Sequence, residues 1–437
     1  NSLMQLLNIA GVGPIFGPIL GALYGPVAFV WIVIGCIFAG AVHDYLTGMI
    51  SIRNHGAHLP QLAGKFLGKT MKHVVNGFAI LLLLLVGTVF VTSPAALLAN
   101  MTSLSLTLII LAIFAYYLIA TLLPIDKVIG RIYPYFGALL LFSAAGIGIG
   151  LVVTGAPIPE LSFQNMHPDN APIFPLLFLT ISCGALSGFH ATQTPIISRT
   201  TENETSGRKI FYGMMIAEGV IAMIWAAAAM SLFQGEQSLS DVLAAGGPAA
   251  VVGEVSTTML GAVGGTLAVL GVIVLPITSG DTAFRSARMI IADYLKVEQK
   301  PIVKRILIAL PLFVASYALT HMDFTLLWRY FSWANQTTAV IALWTGTMYL
   351  VLSRKPYLIT SIPAVFMTMA TFTYLAYAPI GFNLPLQTSY IVAALGTLVC
   401  IALFMKRVRR LSRATFSVDE PVPGALDQDA TLATSSR

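Results

Sequence analysis

Apolar runs about as long as a membrane-crossing helix follow one another along almost the whole chain, joined by short polar stretches. A bilayer core about 30 Å thick takes roughly 20 apolar residues in helical form. On that scale residues 3–24, 27–51, 74–99, 104–123, 132–154, 172–197, 210–233, 255–283, 303–319, 325–351, 357–377 and 387–405 are about twelve predicted transmembrane helices. Only 52–73, 155–171 and 234–254 are long joins. The pattern predicts an all-α polytopic membrane protein.

Two spans interrupt themselves. The first contains GVGPIFGP at 11–18, with Gly13-Pro14 and Gly17-Pro18 near its middle. Proline donates no amide hydrogen and clashes with the carbonyl one turn back. The sixth carries Ser182, Gly184, Ser187, Gly188, His190, Thr192, Gln193, Thr194 and Pro195 at its centre. In hydrocarbon, irregular backbone survives only where protein buries it or where it lines a cavity. One break alone reads equally as a kinked packing helix or as part of a site. Breaks at matching places in two halves point to a transporter site near the midplane. Spans 1 and 6 each open a set of five, and an odd number of crossings inverts the second set. The expected architecture is a LeuT-type 5+5 inverted repeat: 1–154 the first repeat, 155–352 the second, 353–411 two additional helices, and 412–437 a disordered cytoplasmic tail. Gly11, Gly13, Gly17, Ser182, Gly184, Ser187, His190 and Gln193 are the candidate substrate-binding residues.

Composition agrees. The chain is 57% hydrophobic and 10% charged, against about 25% charged residues in a soluble domain. Of its 24 Lys and Arg, all but Arg329 fall on one side if the segment after span 2 is cytoplasmic. The opposite joins 155–171 and 234–254 carry Glu160, Asp169, Glu236, Asp241 and Glu254 but no Lys or Arg. This is the positive-inside rule. It places both termini in the cytoplasm and accounts for the net charge of +6 without a nucleic-acid partner. Cys36, Cys183 and Cys400 lie in apolar runs and show neither a disulfide framework nor a metal motif. The first run lacks the basic start and cleavage site of a signal peptide.

Ionisable groups inside spans are costly and commonly functional. His43 and Asp44 lie in span 2, Glu218 in span 7, and Asp281 in span 8 after the polar break PITSGD. One of these carboxylates could bind and release a coupling proton. The structural alternative is strongest for Asp281, which has Arg285 one turn away. Thr278 and Ser279, with carbonyls of Gly11 or Val12, offer oxygen ligands that suit sodium, although hydroxyls also bond back to their own helix. No resident cofactor is expected, only a bound Na+ or a transported H+. His190 reads equally as a ligand or as a packing residue. Trp328, Tyr330, Phe331 and Trp333 read as an interfacial aromatic belt, with Arg329 snorkelling to the outer headgroups.

The segments IAGVGPIFGP, IFAGAVHDYLTGMISIRN, ISCGALSGFHATQTP, YGMMIAEGVIAMIWAAA, LPITSGDTAFRSARMIIADYL and LLWRYFSWANQT together resemble the carbon starvation protein A family, over most of residues 3 to 352. The resemblance implies a bacterial inner-membrane secondary transporter linked to the carbon-starvation response. It further implies peptides or pyruvate as small-molecule substrate, proton coupling for pyruvate, and membership of the amino acid–polyamine–cation superfamily. Family members carry another hydrophobic segment upstream of IAGVGPIFGP, and the larger ones a long C-terminal part. The alternatives are a sodium-coupled carrier, a passive channel or exporter of small carboxylates, an intramembrane enzyme and a nutrient sensor. No GxSxG or HExxH accompanies His43-Asp44, so no enzyme is expected. Substrate and bilayer are the expected partners, and no motif specifies an oligomeric state.

Overall fold

The computed structural model describes residues 2–122, 126–234, 238–413, 416–418 and 422, with backbone alone at 122, 126–134 and 136. Among these residues the elements are helices. Span 1 is Ser2–Ile9 followed by Gly13–Gly21 and a short turn to Tyr24, bent by 49° at the break. Span 2 is Val27–Arg53, with one wide π-helical turn at Cys36–Gly40. Spans 3, 4 and 5 are Lys69–Met101, Leu106–Leu122 and Asp126–Val153. Span 6 is Ile173–Thr180 and Gly188–Thr200, unwound over 181–187. Span 7 is Glu204–Leu232. The helix Leu239–Leu295 is divided by left-handed Gly247 and Gly261, and its last piece, from 262, is span 8. Spans 9 to 12 are Ile302–Leu319, Phe324–Leu352, Leu358–Tyr377 and Leu386–Arg413.

Seven of these helices are long and apolar enough to cross a membrane, and the bent pair of span 1 makes an eighth. Spans 4 and 5 are apolar over shorter lengths, Leu106–Thr121 and Gly137–Val153. Span 10 has the length, 29 residues, but Asn335, Gln336, Thr338, Thr345 and Thr347 make it polar. All five are buried, so protein rather than lipid surrounds them. Exposed Phe38, Val152, Val263, Ile362 and Leu403 mark apolar outer faces, as a lipid-facing bundle requires.

Four expectations change. The join 234–254 is largely helical, and Glu236 lies outside the described residues. Span 8 runs helically through PITSGD to Leu295, because Thr278 and Thr282 bond back to the Leu275 and Thr278 carbonyls and the helix absorbs Pro276. Trp328 and Phe331 are buried, with ring centroids 5.1 Å apart, and Trp328 lies 6.4 Å from Phe16. They cover the second half of span 1 rather than form a belt. At the start of the tail, Phe416 packs edge-on against Phe66, and Lys65 Nζ donates to the Val418 carbonyl at 2.6 Å. Apart from residue 422, the expected disordered tail beyond 418 lies outside the described residues.

Candidate substrate and ion site

The two breaks meet. A Cβ on Gly13 would lie 2.4 Å from Cys183 Sγ, so the start of the second half of span 1 sits directly on the span 6 break. Only a residue without a side chain permits that approach. Gly17 faces the Thr180 carbonyl, and Gly11 faces the Phe90 ring of span 3. Gly184 turns the break with φ +87°, in the left-handed region, against Ala222 of span 7. Of the candidate substrate residues, Gly11, Gly13, Gly17, Gly184, Ser182 and Ser187 therefore border one junction, with every one of them buried.

Span 10 supplies the partners that the unwound backbone lacks. Asn335 Oδ1 accepts from the Phe189 amide at 2.7 Å, and its side chain pairs with Ser187 Oγ. Gln336 Nε2 donates to the carbonyls of Phe178 at 3.2 Å and Leu186 at 3.0 Å. An unpartnered backbone group in hydrocarbon costs several kcal/mol, so these two side chains make the break tolerable. Sequence reasoning passed over both. The signal was present: an Asn-Gln pair inside an apolar segment.

Beside this junction a charged row crosses three spans. His43 Nδ1 lies 2.7 Å from Asp44 Oδ1, and His190 Nδ1 lies 2.8 Å from Asp44 Oδ2. The other nitrogen of His190, Nε2, faces Glu218 Oε2 at 3.3 Å. All four side chains are buried. His190 is thus not a lone intramembrane histidine; it stands between two carboxylates. Gln193, one turn on, is buried and reaches Thr192 Oγ1 at 3.2 Å.

Asp281 is elsewhere. It pairs with Arg285 Nη2 at 2.8 Å, with side-chain exposures of 5% and 23%. Ser279 Oγ donates to the Leu7 carbonyl at 3.0 Å and so joins span 8 to the first half of span 1. Thr278 Oγ1 bonds back to Leu275 of its own helix. The expected oxygen set is therefore divided: Ser279 meets Leu7 rather than Gly11 or Val12, and Thr278 faces its own backbone.

A sequence profile described as carbon starvation protein CstA matches residues 4–102, 71–245 and 235–374. The chain belongs to the carbon starvation protein CstA family. It is 52% identical over 298 residues to a membrane protein of Haemophilus influenzae, a match spanning 56% of this chain and 80% of that protein. CstA relatives with named activities are more distant. A peptide transporter CstA of Campylobacter jejuni is 29% identical over 287 residues, 49% of this chain and 40% of its own length. The pyruvate/proton symporter BtsT of Escherichia coli is 26% identical over 297 residues, 52% of this chain and 41% of its own length. The matched part of the chain thus spans about two fifths of these transporters. Among solved structures, a mutant of the Eremococcus coleocola manganese transporter superposes with TM-score 0.60 over 94% of both chains at 13% identity. That likeness concerns the fold, and it places this CstA-family chain in the LeuT-type architecture.

Proposed function

We propose that this protein is a secondary transporter of the bacterial inner membrane that imports a small carboxylate nutrient, a peptide or pyruvate, with protons. The observation that carries the reading is the junction of two broken spans, 10–12 and 181–187, buried together and bordered by charged side chains. Helix N-termini attract carboxylates, and the second halves of spans 1 and 6 both begin at this junction, at Gly13 and Gly188. Two inverted five-helix halves, 1–154 and 155–352, with two appended helices, allow one half to rock against the other. The asymmetry of Lys and Arg supports cytoplasmic termini. The names of the C. jejuni and E. coli relatives supply the substrate classes, and the latter the proton.

Asp281 is our choice for the coupling carboxylate. A proton must enter and leave, and the Asp281–Arg285 pair keeps an exposed edge, whereas Asp44 and Glu218 are sealed. Protonation of Asp281 would release Arg285, and span 8 would loosen from span 1 near the Ser279–Leu7 bond. The test is labelled pyruvate uptake into liposomes holding the full chain under an inward proton gradient, with unlabelled di- and tripeptides as competitors. Accumulation that peptides leave unchanged assigns pyruvate, and direct peptide uptake without pyruvate accumulation assigns a peptide. Asp281→Asn should keep counterflow exchange and lose gradient-driven accumulation; wild-type accumulation in that variant removes Asp281 from the coupling step. The Ser279–Leu7 contact motivates a second reading, sodium coupling, in which a cation replaces the hydroxyl proton. A sodium gradient that drives uptake in wild type but not in Ser279→Ala would favour it.

A further inference from the structure

We propose that Cys183, His190 and Glu218 form a site for one divalent transition-metal cation of the zinc class, resident at the junction of spans 6 and 7. One ligand atom from each of the three lies within 4.8 Å of the others, and all three residues are buried. Metal–ligand bonds of about 2.0–2.3 Å place tetrahedral ligands roughly 3.5 Å apart, so small rotations bring these atoms onto one ion.

Two observations besides the clustering point to an ion. First, His190 Nε2 and both Glu218 oxygens are buried without a hydrogen-bond partner. Nε2 and Oε2 stand 3.3 Å apart but are not aligned as donor and acceptor. Buried polar atoms are almost always satisfied, and a cation between them satisfies all three. Second, the opposite ring nitrogen of His190 is held by Asp44 at 2.8 Å, and the other Asp44 oxygen by His43 at 2.7 Å. A carboxylate behind the histidine is the usual support of a metal-bound imidazole, because it fixes the ring and raises the basicity of the ligating nitrogen.

The donor set selects the metal. A thiolate, an imidazole and a carboxylate suit zinc-like ions and not magnesium or calcium, which prefer all-oxygen shells. Asn335 Nδ2 donates toward Cys183 Sγ at 3.8 Å, which favours a thiolate, and Ser187 Oγ lies 3.4 Å from the same sulfur. Thiolate and carboxylate together neutralise a dication in a place closed to water. The ion would tie the span 6 break to span 7 and, through Asp44, to span 2. This inference does not rest on the transport reading, since it concerns binding without substrate or gradient.

The test uses the purified full chain in nanodiscs, stripped with a chelator and dialysed against Zn2+ or Co2+. One Zn2+ per chain is expected, and Co2+ should show the charge-transfer absorption of a thiolate ligand. Cys183→Ser should abolish that band, and Cys400→Ser should leave it intact. Glu218→Gln should weaken binding at least tenfold, and Asp44→Asn, behind the histidine, roughly 10- to 100-fold. Zn2+ at a fixed concentration should raise the Tm of wild type more than that of Glu218→Gln, which reads binding in a variant of nearly the same shape. No stoichiometric metal in wild type, or an affinity that Cys183→Ser and Glu218→Gln leave unchanged, overturns the proposal.

Discussion

His58 shows what one buried side chain does to the whole stability curve. It lies in the join after span 2, where Arg199 Nη2 approaches its Nε2 at 3.4 Å. It also lines a cavity of about 30 Å³ with Lys72, Asn76, Asp293 and Tyr294. Burial, and then the Arg199 charge, push its pKa down to about 3. The folded protein therefore holds His58 neutral, while the unfolded chain takes up a proton near pH 6.5. The sign follows: the stability contribution is complete above about pH 6.5 and is lost as pH falls from there toward 3. The slope is about 1.4 kcal/mol per pH unit. His58→Gln should flatten the fall in thermal stability between pH 6.5 and 5, and an unchanged slope would assign the acid sensitivity to other groups.

At the scale of the element, the second half of span 6 depends on span 10. Gly188 begins that helix with no capping side chain of its own, and Asn335 takes the Phe189 amide at 2.7 Å. Gln336 bridges the two sides of the unwound stretch, donating to the Phe178 carbonyl before it and the Leu186 carbonyl near its end. Asn335→Ala leaves a buried amide unpaired, which costs about 1–3 kcal/mol. We expect a lower unfolding temperature together with weakened substrate transport, since the break would lose its shape. Asn335→Asp keeps an acceptor and should recover more stability than Asn335→Ala; equal losses in the two would show that the cap contributes little. The matched interruptions of spans 1 and 6 were legible in the sequence as clusters of glycine, proline and polar residues, although the breaks fall at 10–12 and 181–187 and Pro18 and Pro195 lie inside helices. Their support was not, because it comes from residues about 150 positions away, and no local pattern encodes that distance. The same holds for PITSGD, which reads locally as a break and is held helical by its surroundings.

Across the whole molecule, the cytoplasmic side predicted by the Lys and Arg pattern is tied by Arg53. Its guanidinium pairs with Glu204, at the start of span 7, and donates to the Tyr349 hydroxyl at the end of span 10. Both charged side chains are about a third exposed or more, 34% and 41%. The pair is therefore worth only about 0–1 kcal/mol to folding. A contact that weak suits a latch between conformations better than a structural rivet. Arg53→Ala should leave the unfolding temperature nearly unchanged and speed thiol labelling of a cysteine introduced at Glu202, on the same side; unaltered labelling would show that the latch does not close that side. What the sequence determined by itself was the part that follows from transfer free energy and local helix propensity: the apolarity of the helices and the interruption of spans 1 and 6. Those quantities are sums over neighbouring residues. Tertiary structure alone decided the pairing of side chains from different helices. Whereas the Asp281–Arg285 pair, one turn apart on one helix, was already legible in the sequence, tertiary structure set His190 between Asp44 and Glu218 and brought Cys183 beside them. Such contacts depend on how separate helices rotate and cross, and the apolar pattern constrains the buried face of each helix without fixing which partner it meets.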